Sequence, residues 1–540
     1  MKKQSIFLLI LLISGISTFG LQKRNGHNNK KYVNLEGQKS EAYIKGNIYQ
    51  KDYLLLISLL KDSHPAFADK NTYPFNIDSL KKSGYEWAEE CDSKEELWSY
   101  MQGVMTLLND GHTTLKPEFN SNAIYPIVYF IDDNDLHIAS INKEYKSFLG
   151  KQVSKINGYN IDEIFSSFKQ LISSDNDIYF KSKVGSFMQL HSMWQHTPYC
   201  RADSSLQLTF KDGTNTFIKP VAKNKLNIVS QQIQNNNKTI RKNYKVPFHY
   251  TLVPEKGICY FQFNACFDQN SLRQQYLSRY PNIPERDLQA KTSRFPRFDK
   301  FLSGMFDSIR VNGIETLVID VRDNKGGNSN LCNQLLSWLM PADEIKNISS
   351  YIRFSELWKQ NYPTLASTYE DEFVKAQKSF KMGELHSGYT LPSLSKSISE
   401  NKSDNNFPIN SNEALIFKGK VVFIQNSNTY SSAGMLITTA MDNNIGIVIG
   451  DKSSYKPCSC GDLLSFELPN TKIKGFVSHK IFKRPNISQC NIECLVPDVL
   501  LQQTWNDFLE GKDIYWNWVL ENYTDEIELY HSYLKDCNII

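Results

Sequence analysis

The sequence predicts a multidomain α/β protein with an N-terminal helical segment, a β-rich module and a C-terminal α/β region built on a largely parallel sheet. Three observations carry this prediction. The 540 residues amount to between three and four times the ~150-residue length of a typical domain. The apolar spacing changes along the chain, from helical to alternating and then to strands interleaved with helices. Hydrophobic residues make up 41% and charged residues 22%, an ordinary globular balance. The 26 glycines and 19 prolines are too few for a collagenous or low-complexity chain. A net charge of +4, from 61 basic and 57 acidic side chains, excludes a strongly basic nucleic-acid binder and an acidic disordered tail.

Residues 1–20 read as a secretory signal peptide. Lys2 and Lys3 precede the apolar run Ile6 to Ile13, and Thr18-Phe19-Gly20 offers small residues before a cleavage point. The run is far shorter than the ~20 residues that span a bilayer, and no later segment is apolar enough to do so. Cleavage lowers the charge to +2. Residues 21–40, polar and rich in Asn, Lys and Gly, read as a flexible leader. Residues 41–118 are helical, with Leu97, Met101, Val104, Met105 and Leu108 on one face and a stop at Asn109-Asp110-Gly111.

Residues 122–225 are β-rich. Ile127–Ile131 and Leu136–Ala139 flank a turn of four polar residues and predict a hairpin. A linker is expected over 226–245, where Asn235-Asn236-Asn237 interrupts all patterning. From 246 to 540 strands alternate with helices: Ile258–Phe263, Glu315–Asp320, Val421–Ile424 and Ile445–Ile449 are strands, and 298–310, 328–340 and 431–441 are helices. That alternation predicts parallel pairing. A polar insertion, about 341–412, is expected as a surface excursion.

Export gives the ten cysteines an oxidising environment. Cys458, Cys460, Cys490 and Cys494 form two tight pairs. They are read as cross-pair disulfides, ahead of free thiols and of a zinc site, because only the second pair has zinc-ligand spacing.

Two loops follow buried strands, where parallel sheets bind ligands. Asp320 to Asn328 contains Gly326-Gly327, whose amides can approach a ligand closely. Asn426 to Gly434 places Ser431 at a strand-to-helix junction, where the next amide can stabilise an oxyanion. A helix N-cap is the plainer role for that serine. The glycine loop has neither the ending of a P-loop nor a dinucleotide fingerprint. A third element is the turn Asp110-Gly111-His112-Thr113.

In these elements the chain resembles the C-terminal processing (tail-specific) serine peptidases, in the branch nearer the tricorn-core peptidases. Asp110-Gly111-His112-Thr113, the loop Asp320 to Gly327, the block Thr429-Tyr430-Ser431-Ser432-Ala433 and the late Val496-Pro497-Asp498-Val499 follow in the family's order. Segment 125–220 resembles the family's PDZ-like module, and Ser63-His64-Pro65 also fits this branch. The resemblance implies an α/β serine peptidase core with Ser431 as nucleophile. The amides of Ser432 and of Gly326 or Gly327 would form the oxyanion hole, and His112 would act as general base. Lys456, 25 residues after Ser431, is the alternative base of a Ser/Lys dyad, but the glycines expected around it are missing. His112 is preferred because an imidazole titrates near neutrality without tuning. Glu493 is the candidate to orient the base, and Gly434 stands where the processing enzymes carry Glu. The resemblance implies a peptide or protein substrate, no metal or organic cofactor, no nucleic acid, and a periplasmic or extracellular location. A catalytically eroded peptide- or ligand-binding relative is the rival reading.

Overall fold

The computed structural model describes residues 44–117, 123–231, 240–242, 244–280, 282–363, 366–367, 369–371, 382–387 and 408–522. The expected signal peptide, the leader, part of the linker and Cys537 lie outside the described residues.

Six strands form the central sheet, in the spatial order Phe248–Val253, Ile258–Phe263, Thr316–Asp320, Lys420–Gln425, Ile447–Gly450 and Val499–Leu500. The first pair is antiparallel and the others are parallel. Both faces are buried, which is why these strands read as continuous apolar runs. Leu317, Ile319, Phe423 and Val448 point to one face, covered by the helices Phe298–Val311, Asn330–Leu336 and Ser432–Asp442. Val318, Val422, Ile424, Ile447 and Ile449 point to the other, covered by Tyr515, Trp516 and Val519 of the helix Ile514–Asn522.

The N-terminal region folds as the helices Ile48–Ser63, Ile77–Trp87 and Lys94–Thr106. Side chains of Asn47, Asn76 and Ser93 cap their first turns, satisfying amides that a helix start leaves open. The β-rich, PDZ-like module is a seven-stranded sheet that includes the expected hairpin Ile127–Asp132 and Asp135–Asn142. Between this module and the central sheet lies a helix absent from the sequence reading, Asp177–Met188.

A second unforeseen element holds these parts together. Strands Cys460–Glu467 and Lys474–Lys483 form a long antiparallel hairpin. Lys474–Lys483 also pairs with Ser349–Arg353 near one end and with the two-residue strand Thr114–Leu115 near the other. The N-terminal helices, the PDZ-like module and this hairpin share one buried cluster.

The insertion 341–412 is therefore not simply a surface excursion. Its polar composition hides the apolar positions Ile352, Phe354, Leu357 and Trp358, all buried in that cluster. Arg353 donates to the carbonyls of His64 and Gly383, and Ser63 Oγ to Ser355 Oγ at 2.9 Å. The cysteine expectation is corrected as well. Cys458 and Cys490 form a disulfide, while Cys460 and Cys494 are free thiols, so one cross-pair bridge exists rather than two. Two of the four zinc-ligand candidates are thereby consumed. Among the described residues no helix is long and apolar enough to cross a membrane.

A buried ion-pair network anchors the start of the glycine loop. Arg322 binds Asp320 through Nε and Nη2 (3.0 and 2.7 Å) and Asp513 through Nη1 (2.8 Å). Tyr260 donates its hydroxyl to Asp320, and Arg241 binds Asp323 at 2.7 Å. Burial alone would push the Asp320 carboxyl up, but Arg322 and Arg241 overrule it and hold it low. Removing one member strands its partners as buried charges. Arg322→Ala is thus expected to cost about 3–5 kcal/mol in denaturant unfolding. A loss under about 1 kcal/mol, the range of an exposed pair, would mean that the network is not structural.

Candidate active site

Two neighbouring parallel strands, Thr316–Asp320 and Lys420–Gln425, end side by side. The glycine loop leaves the first and the turn carrying Ser431 leaves the second. Tyr430 N–H donates to the Asn324 carbonyl at 3.0 Å, and Ser432 Oγ donates to the Gly327 carbonyl at 2.8 Å. These bonds clamp the two loops together. Ser431 has φ 53° and ψ −128°, a left-handed conformation that costs a non-glycine residue about 1–3 kcal/mol. Such strain projects a side chain from a strand-to-helix turn. Ser431 directly precedes the helix Ser432–Asp442, whose first amide, that of Ser432, has no intrahelical acceptor.

Glycine is required at both loop positions. A Cβ on Gly326 would stand 2.7 Å from Ser431 Cβ, and one on Gly327 would stand 2.3 Å from the Cys266 carbonyl oxygen. Both residues have positive φ, 90° and 138°. Their amides differ. Gly326 N–H donates to Asn324 Oδ1 at 2.9 Å, so it is committed within the loop. Among the described residues, the amides of Gly327 and Ser432 donate to no acceptor.

His112 reaches this point from the other end of the chain. The strand Thr114–Leu115 registers on Phe476 and Gly475, and the preceding turn delivers the imidazole. Its Nε2 lies 3.3 Å from Ser431 Oγ. Nδ1 lies 3.0 Å from Tyr430 Oη and 3.5 Å from Asp110 Oδ1, and the ring stacks on Tyr430 with centroids 4.8 Å apart. When Nε2 accepts from Ser431, Nδ1 carries the proton and Tyr430 Oη accepts it. Gly111 makes the approach possible, since a Cβ there would stand 2.9 Å from both Tyr179 and Tyr430 Oη.

Behind the imidazole, Asp110 is buried and densely hydrogen-bonded. Oδ2 accepts from His64 Nε2 (3.1 Å), Thr113 Oγ1 (2.6 Å) and Ser478 Oγ (2.6 Å), and Oδ1 accepts from the His112 amide (3.0 Å). Burial raises a carboxyl's proton affinity, but His112 and His64 hold Asp110 well below the carboxylate range. For His112, burial favours the neutral ring. The hydrogen bond and charge of Asp110, followed by Asp175 and Asp462, outweigh it and raise the pKa. Asp175 accepts from Gly111 N–H at 2.8 Å. Burial, then the charge of Asp110, push its carboxyl up to about 6. Asp110, His112 and Asp175 bring their ligating atoms within 4.8 Å of one another, a spacing that suits a metal ion. The Asp110 oxygens already face N–H and O–H donors, which suits a proton relay better than ion ligation.

The other sequence candidates lie elsewhere. Lys456 Nζ is bound by both oxygens of Glu493 at 3.1 Å, and the Glu493 side chain is 69% exposed. This ion pair removes Glu493 as the residue that orients the base; Asp110 and Tyr430 contact the imidazole instead. The departure at Gly434 has a steric cause, because a Cβ there would stand 2.2 Å from the buried Tyr455 ring. Asp175 and Tyr179 escaped notice, although Phe180, Val184 and Met188 recur at helical spacing behind the cap Asn176. Ser478 has no local signal at all.

A serine with an imidazole on its Oγ, a carboxylate behind the ring and open amides at a helix start define the serine-hydrolase class. Residues 291–469 match the model "Peptidase family S41", the C-terminal processing peptidase family, and the protein is a serine-type peptidase. No curated protein matches the sequence. Among solved structures, mature CPAF is similar with a TM-score of 0.58 at 14% identity, over 91% of this chain and 98% of that one. Mature CPAF complexed with lactacystin gives 0.59 at 12% identity, over 91% of this chain and 100% of that one. At these identities the likeness is one of fold.

Because Asp110 is the main cause that raises the His112 pKa, Asp110→Asn is expected to lower it. An NMR titration of the His112 Cε1 proton reads this directly. An unchanged or higher midpoint would show that Asp110 does not govern the imidazole.

Proposed function

We propose that the protein is an exported serine endopeptidase that cleaves peptide bonds through an acyl-enzyme on Ser431, with His112 as general base. The observation that carries this reading is the 3.3 Å approach of His112 Nε2 to Ser431 Oγ across 319 residues of sequence. Ser431 Oγ attacks the scissile carbonyl as His112 Nε2 takes its proton. The resulting imidazolium is stabilised by Asp110 and keeps its Nδ1 proton on Tyr430 Oη. The open amides of Gly327 and Ser432 receive the oxyanion, and His112 then protonates the leaving amine. Water completes the cycle by the same route in reverse. The PDZ-like module is suited to hold a peptide strand by β-augmentation. Export is supported by the charge and apolar pattern of residues 1–20 and by the Cys458–Cys490 disulfide. Lys456 is occupied by Glu493, which favours His112 over a Ser/Lys dyad.

A fluorophosphonate probe should label the protein, and Ser431→Ala should abolish both labelling and peptide turnover while leaving the fold intact. Labelling that survives in Ser431→Ala would mean the wrong serine has been chosen. The base must be neutral to act, so a raised His112 pKa moves the rising limb of kcat/KM upward, to a midpoint above ~6.5. His112→Ala should lose far more activity than Lys456→Ala; the reverse order would assign the Ser/Lys mechanism. Gly327→Val removes the room the loop needs and is expected to cost about 10²–10³ in rate, the scale of one lost oxyanion donor. Wild-type turnover in that variant would take the glycine loop out of the mechanism.

A further inference from the structure

Two buried thiols that the mechanism does not use lie against the two loops of the site. Cys266 follows the central strand Ile258–Phe263, and Cys332 sits in the helix Asn330–Leu336. Their Sγ atoms are 3.8 Å apart, and the residues are 0% and 3% exposed. Each is tied to a residue that offers an open amide. Cys266 runs parallel to Gly327: its N–H donates to the Gly326 carbonyl at 3.1 Å, and its carbonyl accepts from Asn328 N–H at 2.8 Å. Cys332 Sγ donates to the Ser432 carbonyl at 3.2 Å. The Cys266 sulfur also lies 3.7 Å from Nδ2 of Asn324, the residue whose Oδ1 takes the Gly326 amide.

Two thiols in contact are the starting geometry of a disulfide, and bonding would draw these sulfurs together by about 1.8 Å. The closure loads the backbone of Cys266, which is bonded to both neighbours of Gly327. It also removes the Cys332 hydrogen bond to Ser432. Both oxyanion donors feel the change, and a misplacement of ~1 Å can cost about 10²-fold in rate. Oxidation is slow while the fold holds. The thiolate is the attacking species, and the hydrogen bond with Cys266, followed by burial, raises the Cys332 thiol well above its usual range. The dithiol can therefore persist in an oxidising compartment until a local opening admits a reagent.

We propose that Cys266 and Cys332 are a modification site, an oxidisable dithiol whose disulfide disables the oxyanion hole. The co-reactant is a low-molecular-weight disulfide of the oxidised-glutathione class. One cysteine thiolate attacks it, forms a mixed disulfide and releases one glutathione thiol. The other cysteine then attacks the protein-bound sulfur, forms the Cys266–Cys332 bond and expels the second. The two cysteines lose two electrons and two protons, and the two released thiols carry both away. Formation of the bond is independent of the peptidase reading above, whereas its effect on rate rests on that reading.

To test this, the full chain is equilibrated with oxidised glutathione and then with dithiothreitol. Non-reducing peptide mapping should recover a Cys266–Cys332 cross-link after the first step. In the cross-linked form kcat should fall about 10²-fold with KM nearly unchanged, because an oxyanion hole acts on the transition state. Dithiothreitol should restore the rate. Cys266→Ala and Cys332→Ala, whatever their own rates, should respond to neither reagent, which also controls for reduction of Cys458–Cys490. Absence of the cross-link, an unchanged kcat in the cross-linked form, or the same loss in either variant would overturn the proposal. The first two outcomes are read on the unaltered chain and do not need the variants to fold. Failure of the peptidase reading is distinguishable: turnover is then absent in both redox states, while the mapping still reports the bond.

Discussion

The molecule is organised around one buried carboxylate. Asp110 is only 2% exposed, and an isolated charge at such a depth is untenable without donors around it. Those donors come from separate stretches of chain: His64 at the end of the first helix, Thr113 and the His112 amide in its own turn, and Ser478 in the long hairpin. Thr113 Oγ1 in turn accepts the Ser478 amide at 3.0 Å. Satisfying Asp110 therefore fixes the N-terminal helices, the histidine turn and the hairpin against one another. The same charge sets the protonation tendency of His112. Fold closure and the proton affinity of His112 thus depend on a single ionised group.

The other half of the site obeys a backbone constraint. Adjacent parallel strands deliver two loops to one edge, and the loops approach so closely that Gly326 and Gly327 cannot carry side chains. Ser431 takes a strained conformation because Asn324 and Gly327 hold the residues on either side of it. The Asp320–Arg322–Asp513 network beneath prevents the glycine loop from relaxing. Open amides at Gly327 and Ser432 follow from this geometry, since the neighbouring Gly326 amide is used to shape the loop.

Much of this was legible in the sequence, and the gaps have physical causes. The central strands were readable because both faces are buried, so Leu317–Ile319 and Val421–Ile424 are unbroken apolar runs. Ser431, His112 and the glycine loop stood out through local turn chemistry and family order. The hairpin 460–483 did not, because its alternation is diluted by lysines and because its partners, Thr114–Leu115 and Ser349–Arg353, lie over a hundred residues away. Glu493 looked plausible as an orienting acid by position alone. Its exposure and its pairing with Lys456 are tertiary facts. Tyr430 lay in the recognised block, yet its contact with His112 Nδ1 depends on a stacking that only the folded chain creates. The insertion was misread because buried apolar residues such as Ile352, Phe354, Leu357 and Trp358 sit within a polar stretch.

The two-residue strand Thr114–Leu115 has a temporal consequence. It pairs with Phe476 and Gly475, so the segment that aims His112 is held by backbone that the ribosome makes after Ser431. A growing or unfolded chain therefore contains the reactive groups but no means of bringing them together. The two side chains meet only through this long-range pairing, whose sequence separation makes it slow to form. The topology is in effect a built-in delay: His112 is brought to Ser431 only after the backbone around residues 475–476 has been made and packed.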